Sequence, residues 1–283
     1  MQETGPTTWD DPSLVQTWGP RYSVYVVAAR DLPVFTLGRM PDNPASRRTS
    51  EDLAARLSDL LAGRSVAYSE AGRALGEHPN RLRYAAVTGT VLIRWEGSGK
   101  PTIRTVPPPD IDPDEARLEL ARRYLHVFGP ARAETFAEWA GIAERSGVAT
   151  FEALSDSLTP VTTPVGDAWI LSNDEQTIRD SPPSPALSRL LPSGDAYYLL
   201  QGAQREILIP DQQRRHLLWT PRAWPGALLV AGEIVGTWRR AKCKLTIQTW
   251  SHLNDKTKSA IEEEAISMPI PNVEDPPIIH WTN

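Results

Sequence analysis

Gly89-Thr90-Val91-Leu92-Ile93-Arg94-Trp95 is where the hydrophobic period of this 283-residue sequence changes from helical to extended. A β-branched apolar run that follows a glycine argues a strand. Thr90 to Trp95 therefore reads as one strand, Gly97-Ser98-Gly99 as a turn and Pro101 to Val106 as the return strand. Upstream, Ser50 reads as the cap of a helix carrying Leu53, Leu57, Leu60 and Leu61 on one face and ending at Gly63. A short helix from Ser69 to Leu75 follows and is broken at Gly76. A third helix begins near Pro79, with Leu82, Ala85 and Ala86 inward. Helix, helix, turn, helix, hairpin is the order of a winged helix.

The next stretch repeats that order with little residue identity. Asp112 caps a helix with Pro113 in its first turn, and Leu118, Ala121, Leu125 and Phe128 share one face up to Gly129-Pro130. A short helix carries Phe136 and Trp139, a third runs from about Thr150 to Leu158, and strands near 160–163 and 168–171 close the unit. Beyond it, Tyr197 to Leu200, Glu206 to Ile209, Ala227 to Val230 and Leu245 to Trp250 read as short strands, and Asp255 to Ile266 as a final helix with an acidic face. The runs Pro107-Pro108-Pro109-Asp110 and Pro182-Pro183-Ser184-Pro185 read as linkers. The sequence thus predicts an α+β protein with winged-helix motifs at 49–109 and 110–180 and a small β-rich domain with a C-terminal helix at 186–283.

Charge is unevenly spread in a chain whose formal net charge is −5. Residues 72–104 carry Arg73, Arg81, Arg83, Arg94, Lys100 and Arg104 against Glu77 and Glu96, whereas the last thirty residues are acidic. Val230 to Lys244 reads as a β-hairpin whose second strand ends in Trp238, Arg239, Arg240, Lys242 and Lys244, with no acid after Glu233. Cations that neutralise phosphates release counterions and drive nucleic-acid affinity. An edge strand guarded by charge would look the same. In a helix-turn-helix the second helix enters the major groove with its N-terminal residues. Here these are Asn80, Arg81, Arg83 and Tyr84, with His78 just before; Asn reads adenine and Arg reads guanine, although any solvated helix can carry such residues. Arg94, Lys100 and Arg104 are placed to straddle phosphates. Near the N-terminus, Thr17 to Val27 has strand propensity, and Arg21, Tyr22 and Tyr25 could stack on a nucleotide or pack within the fold.

Other chemistries find little purchase. One cysteine, Cys243, excludes an intrachain disulfide framework, and the five histidines are too scattered for a local zinc motif. Gly99-Lys100 is followed by proline, so it is no phosphate loop. No run of apolar residues is long enough to span a membrane, and the N-terminus lacks the pattern of a signal peptide. The expectation is a cytoplasmic monomer without metal or cofactor, bound to double-stranded DNA and associated with a bacterial nucleoid.

Several segments in order resemble a known family. Trp18-Gly19-Pro20-Arg21-Tyr22-Ser23-Val24-Tyr25-Val26-Val27 with Asp31-Leu32-Pro33 is similar to its "W-x-x-R-G-T-x-H-x-V … D-L-P" segment. Ala121 to Leu125, Phe128 to Ala131, Phe136 and Trp139 to Gly141 resemble its next signature. Leu190-Leu191-Pro192, Asp195, Tyr198 to Leu200, Leu208 to Pro210 and Gly236-Thr237-Trp238-Arg239-Arg240 follow in the expected order. The family is that of winged-helix DNA-binding proteins including the AlkZ-like alkylpurine DNA glycosylases, which excise bulky alkylated purines and unhook crosslinks. The resemblance implies tandem winged helices and a β domain wrapped around DNA, with residues 1–48 the remnant of an incomplete first winged helix bearing a β-hairpin. It also implies that Arg21, the recognition helices and the Trp238-Arg239-Arg240 strand face the duplex. The family's catalytic Gln-x-Gln or Gln-x-Asp, expected well before Trp18, has no counterpart in this sequence, and Tyr22-Ser23-Val24-Tyr25 stands where the family has Gly-Thr-x-His. A truncated or non-catalytic member, a regulator or a lesion-sequestering protein, is therefore the alternative to a glycosylase, and the catalytic residues are unknown.

Overall fold

A computed structural model describes residues 11–95, 100–180, 187–199, 204–268 and 276–282. The turn expected at Gly97-Ser98-Gly99, the linker at Pro182 to Pro185 and Leu200 lie outside the described residues. The protein is α+β and divides into two compact units. One holds the described residues up to Val161 together with Asp167–Glu175; the other holds Thr162–Gly166 and the described residues from Gln176 onward.

The first unit opens with an antiparallel hairpin, β1 (Leu14–Trp18) and β2 (Val24–Ala28), in which Gln16 faces Val26. A short helix, α1 (Leu32–Leu37), follows. The next helix, α2 (Pro44–Leu61), starts earlier than its apolar stripe suggests: the Asn43 side chain accepts from the amides of Ala45 and Ser46, and Pro44 needs no partner for an N–H. Ser50, expected as the cap, is buried within the helix. Then come β3 (Val66–Ala67), α3 (Tyr68–Ala74), a 3-10 helix over Pro79–Thr88, β4 (Val91–Arg94) and β5 (Thr102–Thr105). Strands β3, β5 and β4 form a three-stranded sheet, and β3 was not legible in a two-residue run. Leu57, Leu61, Leu82, Val91 and Ile103 pack as one core with Trp18 of the hairpin.

Further along, α4 (Pro113–Phe128) is capped by Asp112, which accepts from the amides of Asp114 and Glu115. It packs with α5 (Ala133–Ala140) and α6 (Glu144–Ala153) around Leu120, Tyr124, Phe136, Trp139 and Phe151. The last of these helices starts and ends earlier than the expected Thr150 to Leu158; its N-cap position is Ala143, which offers no side-chain signal. Strands β6 (Leu158–Thr163) and β7 (Gly166–Leu171) pair as a hairpin, and α7 (Glu175–Arg179) follows.

The second unit is built on a sheet in the order β12-β11-β10-β9-β8. Its strands are β8 (Ser188–Leu191), β9 (Gly226–Val230), β10 (Glu233–Ala241), β11 (Lys244–Thr249) and β12 (Ile278–Thr282), the last parallel to its neighbour. Before β9 come two helices, α8 (Gln204–Leu208) and α9 (Gln212–Leu218), and after β11 comes α10 (Asp255–Ser267). On one face of the sheet Leu190, Leu228, Leu245 and Ile247 meet Ile261 and Ala265 of α10. On the other, Ala227 and Ile234 meet Tyr198, Leu218 and Trp219. Two of the expected strands are corrected here: Ala196–Tyr198 is a 3-10 turn, and Glu206 to Ile209 falls largely in α8. The Tyr198 side chain is fully buried, and its hydroxyl donates to the Pro192 carbonyl at 2.6 Å while accepting from the Gly194 amide at 2.9 Å. Short apolar runs fit a buried helix as well as a strand.

Candidate nucleic-acid interface

In the first unit the geometry starts with the five-residue connection between β1 and β2. The Gly19 amide donates to the Ser23 carbonyl at 2.9 Å and the Tyr22 amide to the Gly19 carbonyl at 3.0 Å, which closes a tight loop. Arg21 and Tyr22 both take left-handed backbone angles, with φ of 58° and 54°. Such angles strain a non-glycine residue and are concentrated at functional sites. They turn the Tyr22 ring edge-on to Tyr84 of the 3-10 helix, with ring centres 4.9 Å apart. The Arg83 guanidinium lies 5.4 Å from the Tyr22 ring centre and 5.2 Å from that of Tyr84, and donates to the Tyr84 hydroxyl at 3.3 Å. Tyr84 remains exposed and Arg83 half-buried. The fold thus brings Tyr22 to Arg83 and Tyr84, distant from it in sequence, in one aromatic and cationic cluster.

Beneath that cluster is a residue the sequence did not single out. Arg39 is 1% exposed. Its Nε donates to the Ala140 carbonyl at 2.7 Å and one terminal nitrogen to the Trp18 carbonyl at 2.9 Å, tying the hairpin to the end of α5. Its guanidinium sits 4.6 Å from the Tyr22 ring centre, on the ring's electron-rich face. Burial pulls the Arg39 pKa down to about 10, with Tyr22 and Tyr25 opposing. Burial likewise raises the Tyr25 hydroxyl against the charges of Arg21 and Arg39. Tyr25 is half-buried and stacks on Phe35 at 6.3 Å, so its ring serves packing.

The remaining expected contacts on the 3-10 helix lie at its exposed N-terminal end. The His78 Nδ1 accepts from the Asn80 amide at 3.2 Å, which places the proton of a neutral ring on Nε2. Asn80 accepts from the Tyr68 hydroxyl at 3.2 Å, and Arg81 pairs with Glu77 at 3.5 Å. Glu77 is shared with Arg56 at 3.1 Å, so part of the cationic charge of this helix is already balanced. On the hairpin that follows, Leu92 faces Arg104 and Arg94 faces Thr102. Side chains directly opposite share a face, so Arg94 and Arg104 line the same one. Lys100 is exposed just before β5.

In the second unit, strand alternation separates the residues of the Trp238-Arg239-Arg240 segment. Trp238 packs in the α10-side core, with Gly226 beneath it, and its Nε1 donates to the Leu191 carbonyl at 2.8 Å. The indole therefore supports the strand from within, and the surface belongs to the cations. Arg239 emerges on the opposite face, where it donates to the Ala223 carbonyl at 2.9 Å. Arg240 donates to the carbonyl of Lys242, which holds a φ of 56° in the two-residue turn to β11. Arg239, Arg240, Lys242 and Lys244 are all exposed. Among the described residues no cluster of histidine, cysteine and carboxylate side chains could hold a metal ion, and no helix is long and apolar enough to cross a membrane.

Comparison with known proteins shows what this chain is similar to. A family model described as DNA glycosylase AlkZ-like covers residues 3–268. An interstrand DNA cross-link repair glycosylase of Streptomyces sahachiroi is 27% identical over 158 residues, a match that spans 54% of this chain and 42% of that protein. The solved structure of the Streptomyces sahachiroi DNA glycosylase AlkZ superposes with a TM-score of 0.75 at 20% identity, over 96% of this chain and 83% of that one.

Proposed function

This chain belongs to the DNA glycosylase AlkZ-like family, and on that premise we propose that it binds duplex DNA carrying bulky alkylated purines. The winged helices at 49–109 and 110–180, the hairpin-bearing part at 1–48 and the β-rich part at 186–283 are the parts we assign to that task. The observation that carries the reading is the surface cluster of Tyr22, Arg83 and Tyr84, which joins a strained hairpin loop to the helix expected to enter the groove. Aromatic faces and guanidinium groups side by side suit stacking on bases and pairing with phosphates. Arg21, Tyr22, His78, Asn80, Arg81, Arg83, Arg94 and Lys100 are the contact set we assign to the first unit. Arg239, Arg240, Lys242 and Lys244 are that of the second.

Excision of the damaged base is the reaction that supports itself on the family's description and on the relative's name, and it needs no metal or cofactor. A non-catalytic binder is the second reading. The test is to incubate the full chain with plain and alkylated duplexes, measuring affinity and free alkylpurine together. Tighter binding to the alkylated duplex, lost by about tenfold in Arg83→Ala, is expected. Equal affinity for both duplexes would overturn lesion recognition, and release of alkylpurine decides between the two readings.

A further inference from the structure

Strand β12 lies beyond the residues that the family model matches, and it forms one edge of the second unit's sheet. The registers set Arg239, Thr246 and His280 side by side across β10, β11 and β12. Lys244 stands beside Ile278 in one flanking row, and Gln248 beside Thr282 in the other. We propose that this face of the sheet, carried out to β12, docks the phosphate backbone of a DNA duplex, with His280 as its outermost contact. The inference rests on the DNA-binding reading above.

Three observations carry it. The first is access. Side chains alternate along a strand, so these residues point away from Leu245, Ile247, Ile279 and Trp281, which pack in the core shared with α10. Arg239, Lys244, His280 and Thr282 are exposed and Thr246 and Gln248 half-buried, which leaves the face open from β10 to β12. Over β9 the same face is closed, where Ala227 meets Leu218 and Trp219. The second is charge. None of these positions holds a carboxylate, and the acidic helix α10 packs on the other side of the sheet. Arg239 donates to a main-chain carbonyl, that of Ala223, and Lys244 has no ion pair among the described residues. An open face with cations and no acid complements a polyanion. The third is the pattern of donors. Guanidinium, ammonium, imidazole N–H, hydroxyl and carboxamide all donate hydrogen bonds. Side chains on one face of a strand recur about every 6.8 Å, so the rows meet successive phosphates and not a single ion. Ile278, 57% exposed, gives a deoxyribose an apolar surface to rest on. Backbone contacts position a duplex and carry no base information, so this face strengthens binding to damaged and undamaged DNA alike.

The test compares His280→Glu with Ser259→Glu, which adds the same carboxylate at an exposed position of α10. Affinities of the full chain for a plain and an alkylated duplex are measured for wild type and both variants. His280→Glu is expected to weaken both duplexes by about tenfold and to leave their ratio unchanged, while Ser259→Glu stays near wild type. In the wild-type chain, saturating duplex is expected to shield His280 from diethyl pyrocarbonate, read by mass spectrometry; this readout needs no variant to fold. Wild-type affinity in His280→Glu, equal weakening by both variants, or a loss confined to the alkylated duplex overturns the docking face and leaves the function above standing. Unchanged modification of His280 at saturating duplex overturns it as well. Equal wild-type affinity for the two duplexes overturns lesion recognition but not this face, and a wild-type chain that binds neither duplex overturns both.

Discussion

Gly226 has no side chain because the indole of Trp238 occupies the space. A Cβ built there would lie 2.2 Å from the Trp238 Nε1 and 2.5 Å from the Leu191 carbonyl oxygen. Both groups are held by the hydrogen bond between them, so neither can yield cheaply. Gly226→Ala should therefore lower stability by about 1–3 kcal/mol, read as a drop in the denaturation midpoint; an unchanged midpoint would show that the indole moves freely. At this scale the sequence spoke unevenly. Arg83 and Tyr84 stand out because they begin the helix expected to enter a groove. Trp238 read as a surface aromatic because strand alternation alone does not say which face is covered. Arg39 was invisible: Gly38-Arg39-Met40 looks like any solvated loop, and only the carbonyls of Trp18 and Ala140, which are remote in sequence, show it to be buried.

Between elements, the connection from α1 to α2 is fastened by one carboxylate. Asp42 accepts from Arg117 of α4 at 2.7 Å and from the Ser146 hydroxyl of α6, while the Arg117 guanidinium also donates to the carbonyls of Gly38 and Met40. Burial alone would raise the Asp42 pKa, but the hydrogen bonds from Ser146 and Arg117, with the charges of Arg117 and Arg47, hold it below its ordinary 3.8. The unfolded chain thus binds a proton at a higher pH than the folded one does. The stabilisation is complete above pH 3.8 and is lost as pH falls through the depressed folded value. Asp42→Asn should lower stability at neutral pH by about 2 kcal/mol and flatten the acid side of the stability profile; parallel profiles for both proteins would refute it. Elements with local signals were legible, as α4 was from Asp112-Pro113. Those without them were not: α6 has no capping side chain, and α8 is a short apolar run that fits either secondary structure.

Taken whole, the protein is acidic yet carries exposed cations in each unit, among them Arg81, Lys100, Arg239, Arg240, Lys242 and Lys244. If those cations meet phosphates, the logarithm of duplex affinity should fall linearly with the logarithm of salt, by about 0.9 for each phosphate neutralised. Charge reversal at Arg240 and Lys242 should weaken binding and reduce the slope by about 2. An unchanged slope would remove the second unit from the interface. Chelation of metal ions should leave affinity untouched, and a loss on chelation would refute a metal-free site. The α+β class and the family were legible from motifs in order, because those motifs mark turns and buried aromatics that the fold requires. How each cation is held was not, since ion pairs such as Arg81 with Glu77 depend on which helices pack.

The left-handed pair Arg21-Tyr22 has its own consequence for recognition. The loop holds a rare conformation through contacts within the protein alone, with Arg39 and Tyr84 flanking the Tyr22 ring. If the proposed DNA contact falls on this loop, little freedom remains to be surrendered at the moment of encounter. Discrimination there would then rest on how well the incoming shape matches, and a mismatched groove would be refused instead of accommodated.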